Sequence, residues 1–128
     1  MPSAPDTQFD VPTGALRTRI DRRGAAVVVH VAGEVDLSSA AGLDQRLDEA
    51  ERLVPQPVPV VLDLTDVTFL ASVGLSLLID HDRRCTQAGS ALRVVAANRA
   101  VVRAIAVTGL TDTVTVVSTL AEALEETA

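Results

Sequence analysis

Few side chains in this sequence could carry out a reaction. Its two histidines are His30 and His81, and its single cysteine is Cys85. Zinc sites want three or four ligands at short, defined separations, and these residues do not offer that spacing. A lone thiol permits no internal disulfide and has no resolving partner, so Cys85 reads as a buried, inert group in a reducing compartment. His30 stands in the middle of the apolar run AAVVVHVAG and reads as a satisfied core or face residue. His81, between Asp80 and Asp82 on a helix, reads as part of a solvated polar face. There is no Walker loop, dinucleotide-binding glycine fingerprint or nucleophile elbow. No catalytic residue, metal or cofactor is expected, and the chain does not read as an enzyme.

What remains is a surface that could hold a partner. Two segments supply it: Gly33-Glu34-Val35-Asp36 and Ala71-Ser72-Val73-Gly74. A small polar residue and a glycine where a strand gives way to a helix leave the first backbone N–H groups of that helix open to an anion or a partner. In a parallel sheet the loops after strand C-termini gather on one edge. Glu34, Asp36, Ser72 and Gly74 are therefore expected at the same end of the molecule. A plainer reading stands beside this one: Asp36 and Ser72 only cap helices, and Gly74 only lets helix and sheet approach closely.

The elements that must position these residues follow from the apolar pattern. Residues 1–14, with Pro2, Pro5 and Pro12 among small polar residues, read as a flexible N-terminal tail. LRTRID (16–21) alternates as a strand, Gly24 marks a turn, and 25–33 is a near-continuous apolar run suited to a central strand. From Ser38 to Val54 the spacing turns helical, with Leu43, Leu47, Ala50 and Val54 on one face, Ser38 or Ser39 as cap and Pro55 as stop. VPVVLDL (58–64) is a strand and 72–87 a helix that closes before Gly89. ALRVVAA (91–97) is a further strand. Asn98 caps a helix with Val101, Val102 and Ile105 inward and Gly109 as stop. TVTVV (113–117) is a last strand, and Thr119 and Glu122 have capping-box spacing for a helix carrying Leu120 and Leu124. The order β-β-α-β-α-β-α-β-α predicts an α/β fold. Its sheet is mostly parallel, with four to five strands, one antiparallel edge strand and about four helices.

Composition narrows the function classes. The 128 residues suit one domain of the usual size of about 100–150 residues. Hydrophobic residues make up 48 %, yet Phe9 and Phe69 are the only aromatics, which argues against sites that stack bases or sugars on rings. A net charge of −6 argues against a nucleic-acid partner. The Arg17, Arg19, Arg22, Arg23 cluster reads as the solvated flank of an edge strand. No apolar run approaches the roughly 18–20 residues of a membrane span. The expectation is a soluble, cytoplasmic protein without direct membrane insertion.

Three segments, VAGEVDLSSA, LDLTDVTFLASVGLSLLI and VVRAIAVTGL, make the chain over about residues 15–126 resemble a STAS domain. That module is shared by sulfate transporters and bacterial anti-sigma factor antagonists. In stand-alone members the resemblance implies partner switching: the antagonist binds a kinase-type anti-sigma factor and so releases a sigma factor. It further implies that Glu34, Asp36, Ala71, Ser72, Val73, Gly74 and the exposed part of helix 72–87, Ser76 included, meet the partner; a homodimer is also compatible with it. The family's phosphoacceptor stands directly before the glycine, where a phosphate adds about −1.5 to −2 charges and breaks the complex. This chain has Val73 there, which cannot be phosphorylated. Ser72 is the nearest candidate for phosphorylation, but one residue early on a helix turns a side chain by about 100°. Two other readings compete: a non-phosphorylated scaffold subunit of a stress-sensing or lipid-transport complex, and nucleotide binding at the helix N-terminus.

Overall fold

The computed structural model describes residues 11–13, 16–54, 58–109 and 114–125. Along the chain it runs β1 (Val11–Thr13), β2 (Leu16–Arg23), β3 (Ala26–Val35), α1 (Ala40–Leu53), β4 (Val60–Leu70), α2 (Ser72–Gln87), β5 (Leu92–Val95), α3 (Arg99–Val107), β6 (Thr115–Val117) and α4 (Leu120–Glu125). The strands lie side by side in chain order, β1 to β6. β2 pairs antiparallel with both β1 and β3, through a turn that needs the left-handed Gly24, φ +64°. The β3–β4, β4–β5 and β5–β6 pairs are parallel, each joined by a crossover helix.

Because successive strand residues face opposite sides, the sheet carries two apolar surfaces. On one side Val27, Val29, Leu62, Leu64 and Val94 meet Leu43 and Leu47 of α1, Leu78 of α2, and Val101 and Ile105 of α3. On the other, Val28, Val61 and Val95 meet Ala123 of α4, with Leu120 and Leu124 beside them. Burying a side chain of Val or Leu size is worth about 1.5–3 kcal/mol. The larger cluster therefore holds the crossover helices down and fixes where the loops between strands and helices emerge.

The α/β class and the strand–helix order are as expected, and several details differ. Residues 11–13, inside the stretch expected as a tail, form β1, an additional antiparallel strand outside β2. The rest of that tail, and Pro55 and residue 113, lie outside the described residues. β4 extends six residues beyond its expected end at Leu64. It carries an extra residue at each of two register shifts against β3, between His30 and Ala32 and between Gly33 and Glu34. Its core-facing positions accordingly step from Leu62 and Leu64 to Val67 and Leu70. Val102, expected inward, is 38 % exposed, because the buried stripe of α3 is only Val101 and Ile105. Asn98 does cap α3, its Oδ1 accepting from Ala100 N at 2.8 Å, and Thr119 Oγ1 accepts from Glu122 N at 3.1 Å.

Candidate functional site

The two loops expected to gather do so. β3 and β4 are parallel neighbours, with Glu34 opposite Phe69 and Val35 opposite Leu70. Both strands therefore end together, and Ala71 N donates to Val35 O at 2.9 Å, tying one loop to the other. Asp36, Leu37 and Ser38 from the first loop and Ala71, Ser72 and Val73 from the second line one open hollow.

Within the hollow the two junctions are built differently. Before α1 the polar groups are consumed locally. Asp36 Oδ1 accepts from Ser38 N at 3.0 Å, Ser38 Oγ at 2.7 Å and Ser39 N at 3.2 Å. Ser39 Oγ donates to Glu34 O and accepts from Asp36 N. Asp36 thus closes the turn ahead of α1 and does not stand at the cap that the plainer reading gave it, just as Ser72 lies inside α2. Ser39, at the cap position of α1, makes no side-chain capping bond. The Ser38 hydroxyl first, and then the backbone N–H groups of Ser38 and Ser39, hold the Asp36 carboxyl below its ordinary range despite some desolvation. Before α2 there is no such device. Ala71 stands at the cap and has no side-chain acceptor.

The remaining expected residues fall into place around this edge. Glu34, Ser72 and Ser76 are exposed, and Ala71 and Val73 are half-buried. Gly74 is buried: a Cβ there would come within 2.5 Å of Leu70 Cδ1 and 2.8 Å of Val35 Cγ1. Its contribution is to seat α2 against β3 and β4. Two apolar residues at the edge escaped the sequence reading, Leu37 at 86 % and Phe69 at 51 % exposure. The signal for Leu37 was its position outside the Leu43–Leu47 stripe. Phe69 could have been found only by knowing the second bulge of β4.

His81 corrects an expectation. Its side chain is fully buried, because it continues the Leu75–Leu78–Cys85 stripe of α2 while the neighbouring Asp80 points to solvent. Its Nδ1 lies 2.5 Å from Glu51 Oε2 and its Nε2 2.6 Å from Asp44 Oδ1, both on α1. Arg84 Nη2 stands 2.8 and 3.0 Å from the same two nitrogens, so the ring sits among two carboxyl groups and a guanidinium. Burial acts to lower the His81 pKa, but the bonds to Glu51 and Asp44 outweigh it and raise it. Asp44, Asp48 and His81 have the proximity of a metal site, with ligand atoms within 4.8 Å of one another. The ground is already held by a cation, since Arg84 Nη2 lies 2.7 Å from Asp48 Oδ1. Cys85 beside it is buried, and burial first, then the Glu51 charge, push its thiol up to about 12. His30 meets its expectation only in part: its Nδ1 lies 2.8 Å from Asp63 Oδ2, while its Nε2 is buried without a hydrogen-bond partner, 3.5 Å from Asp21 Oδ2.

Fold and edge together define the class. The chain belongs to the STAS domain family, whose model matches residues 17–123. Within it, the chain is 35 % identical over 116 residues to the anti-sigma-F factor antagonist RsfB of Mycobacterium tuberculosis, covering 91 % of this chain and 92 % of the relative. It is 29 % identical over 120 residues to RsfA of the same organism, an anti-sigma-F factor antagonist by name, covering 93 % and 94 %. The crystal structure of an anti-sigma factor antagonist from Mycobacterium paratuberculosis superposes with a TM-score of 0.80 at 32 % identity, covering 88 % of this chain and 93 % of that one. The relatives are thus regulatory anti-sigma factor antagonists. Among the described residues no helix is long and apolar enough to cross a membrane.

Proposed function

We propose that the chain is a cytoplasmic anti-sigma factor antagonist that acts by docking. It binds a kinase-type anti-sigma factor through Glu34, Asp36, the Ala71–Gly74 loop and Ser76, and so frees a sigma factor. The observation that carries this reading is the convergence of both loops on one hollow, lined by Asp36 and Ser72 together, in a chain whose relatives are antagonists. RsfA and RsfB are named for opposing an anti-sigma-F factor, so an anti-sigma factor of that kind is the first candidate partner.

Val73 in the phosphoacceptor place makes the binder constitutive. No phosphate forms at residue 73, and Ser72, one position away, presents its hydroxyl in a different direction. The same substitution favours a second reading, a scaffold subunit of a larger assembly in which switching is dispensable.

Pull-down and calorimetry with each kinase-type anti-sigma factor of the source organism test the main reading. Binding to at least one is expected, unchanged after incubation with that kinase and ATP. No binding to any of them sinks it and leaves the scaffold. Stoichiometric phosphate on Ser72, read by mass spectrometry, would overturn the constitutive part.

A further inference from the structure

A groove runs along α3 beside the first turns of α2. Leu75, Ala100, Ala104 and Val107 line it, and Arg99 and Arg103 stand on its rim. Val107 is 79 % exposed, far more than an aliphatic residue needs in order to close a helix. Leu75 follows Gly74 directly, so the groove begins where the docking edge ends.

The two arginines are the informative part. Both are exposed, and neither forms an ion pair with any described residue. Elsewhere Arg19, Arg23, Arg46 and Arg84 each meet an acid within 4.0 Å. Arg22, Arg52 and Arg83 form no ion pair with a described residue, but they stand singly, away from any second such arginine on the same helix face. In a chain with 17 acidic residues against 11 basic ones, two adjacent cations without a partner run against composition. They also run against the helix. Arg99 is the first residue of α3, where the dipole favours an anion, and α3 has no acid in its first turn and no base in its last. These charges do nothing for the stability of α3, and no described residue complements them.

We propose that this groove is a second contact of the same partner, and that it takes an amphipathic helix of the anti-sigma factor whose carboxylates pair with Arg99 and Arg103. The proposal rests on the 71–74 edge being where that factor docks. Arg99 and Arg103 are one turn apart, as are Ala100 and Ala104. A helix laid along α3 presents acids at the same four-residue repeat beside an apolar stripe that fits over the alanines and Val107. One partner can then hold the edge and the groove at once. The sign of the charge sets the orientation: acidic Glu34 and Asp36 at one end of the footprint, cationic Arg99 and Arg103 at the other.

The test is calorimetry of the double variant Arg99→Glu/Arg103→Glu with the anti-sigma factor retained in the pull-down. Both side chains are exposed and unpaired, and a glutamate at the start of α3 suits its dipole, so folding is kept; circular dichroism checks this. Affinity is expected to fall about tenfold or more at low salt, with the gap narrowing at about 0.5 M salt. Val107→Asp, which leaves the arginines in place, is expected to weaken binding as well. Unchanged affinity in the double variant, with Ser72→Glu still weakening the complex, overturns the groove and leaves the edge standing. If the unaltered protein binds no anti-sigma factor, both fall. A homodimer that the double variant dissolves would place a second copy in the groove and overturn the proposal too.

Discussion

The two ends of α2 are held by opposite means. Its first turn has an alanine at the cap, an exposed Ser72 and a glycine with no room for a methyl group. Its third and fourth turns carry His81, wholly buried between Glu51 and Asp44, with Arg84 bridging to Asp48. The helix is anchored to α1 by hydrogen bonds far from the end proposed to face a partner. Its opening turn can therefore keep polar groups uncommitted without becoming loose. The turn before α1 shows the alternative, in which Asp36 spends its acceptors on its own backbone. Positional order at an exposed edge need not come from the residues of that edge themselves.

Substitutions at either end should break this arrangement in different ways. Gly74→Leu forces a side chain into space already held by Leu70 and Val35. It should cost about 3 kcal/mol, lowering the melting temperature by about 10 °C in calorimetric scans. A melt within a degree or two of the unaltered protein would show that α2 can shift away from the sheet.

At the anchored end His81→Gln removes the cation between two carboxylates. Asp44 is 44 % exposed, so the loss should be about 2 kcal/mol at pH 6, below the 3–5 of a fully buried pair. The sign of its pH dependence follows from linkage. A folded-state pKa raised above 6.5 gives stability that is complete below that value and is lost as pH climbs through the folded pKa. Urea melts of both proteins should differ most at pH values below 6.5 and converge as the pH rises above it. A constant difference across that range would mean that the ring is neutral in the fold.

The smallest effect sharpens the contrast from the other side. Ala71→Ser supplies the missing cap and should stabilise the protein by about 0.5–1 kcal/mol, read as a modest rise in melting temperature. It should also weaken the docked complex, by occupying donors that the open turn offers. A stabilised variant with undiminished binding would show that those donors do not take part.

Much of the frame was legible because it rests on periodicity. The Leu43–Leu47–Ala50 stripe and the Asn98 and Thr119 caps are local patterns, and each is found where its spacing placed it. β4 was cut short because two inserted residues change its step from two to three, and alternation cannot show where a neighbouring strand forces a bulge. β1 was hidden by Pro12 in a polar context, where pairing depends on an outer edge of β2 that the sequence does not display. His81 was misplaced by its aspartate neighbours, although its own seven-residue register with Leu78 and Cys85 marked the inner face. At the edge, residue identities were visible, while the division of labour between a closed turn and an open one depends on hydrogen bonds that form only after folding.

The side-by-side order of β1 to β6 matches their order of synthesis. Each new strand finds its neighbour already in place, so the sheet can widen along a single growing margin as the chain leaves the ribosome. Only α4 must travel back, to cover Val28, Val61 and Val95 on the far side. α4 follows all six strands in the chain, so a nascent chain stalled before Leu120 would still show bare valines to the surrounding cell.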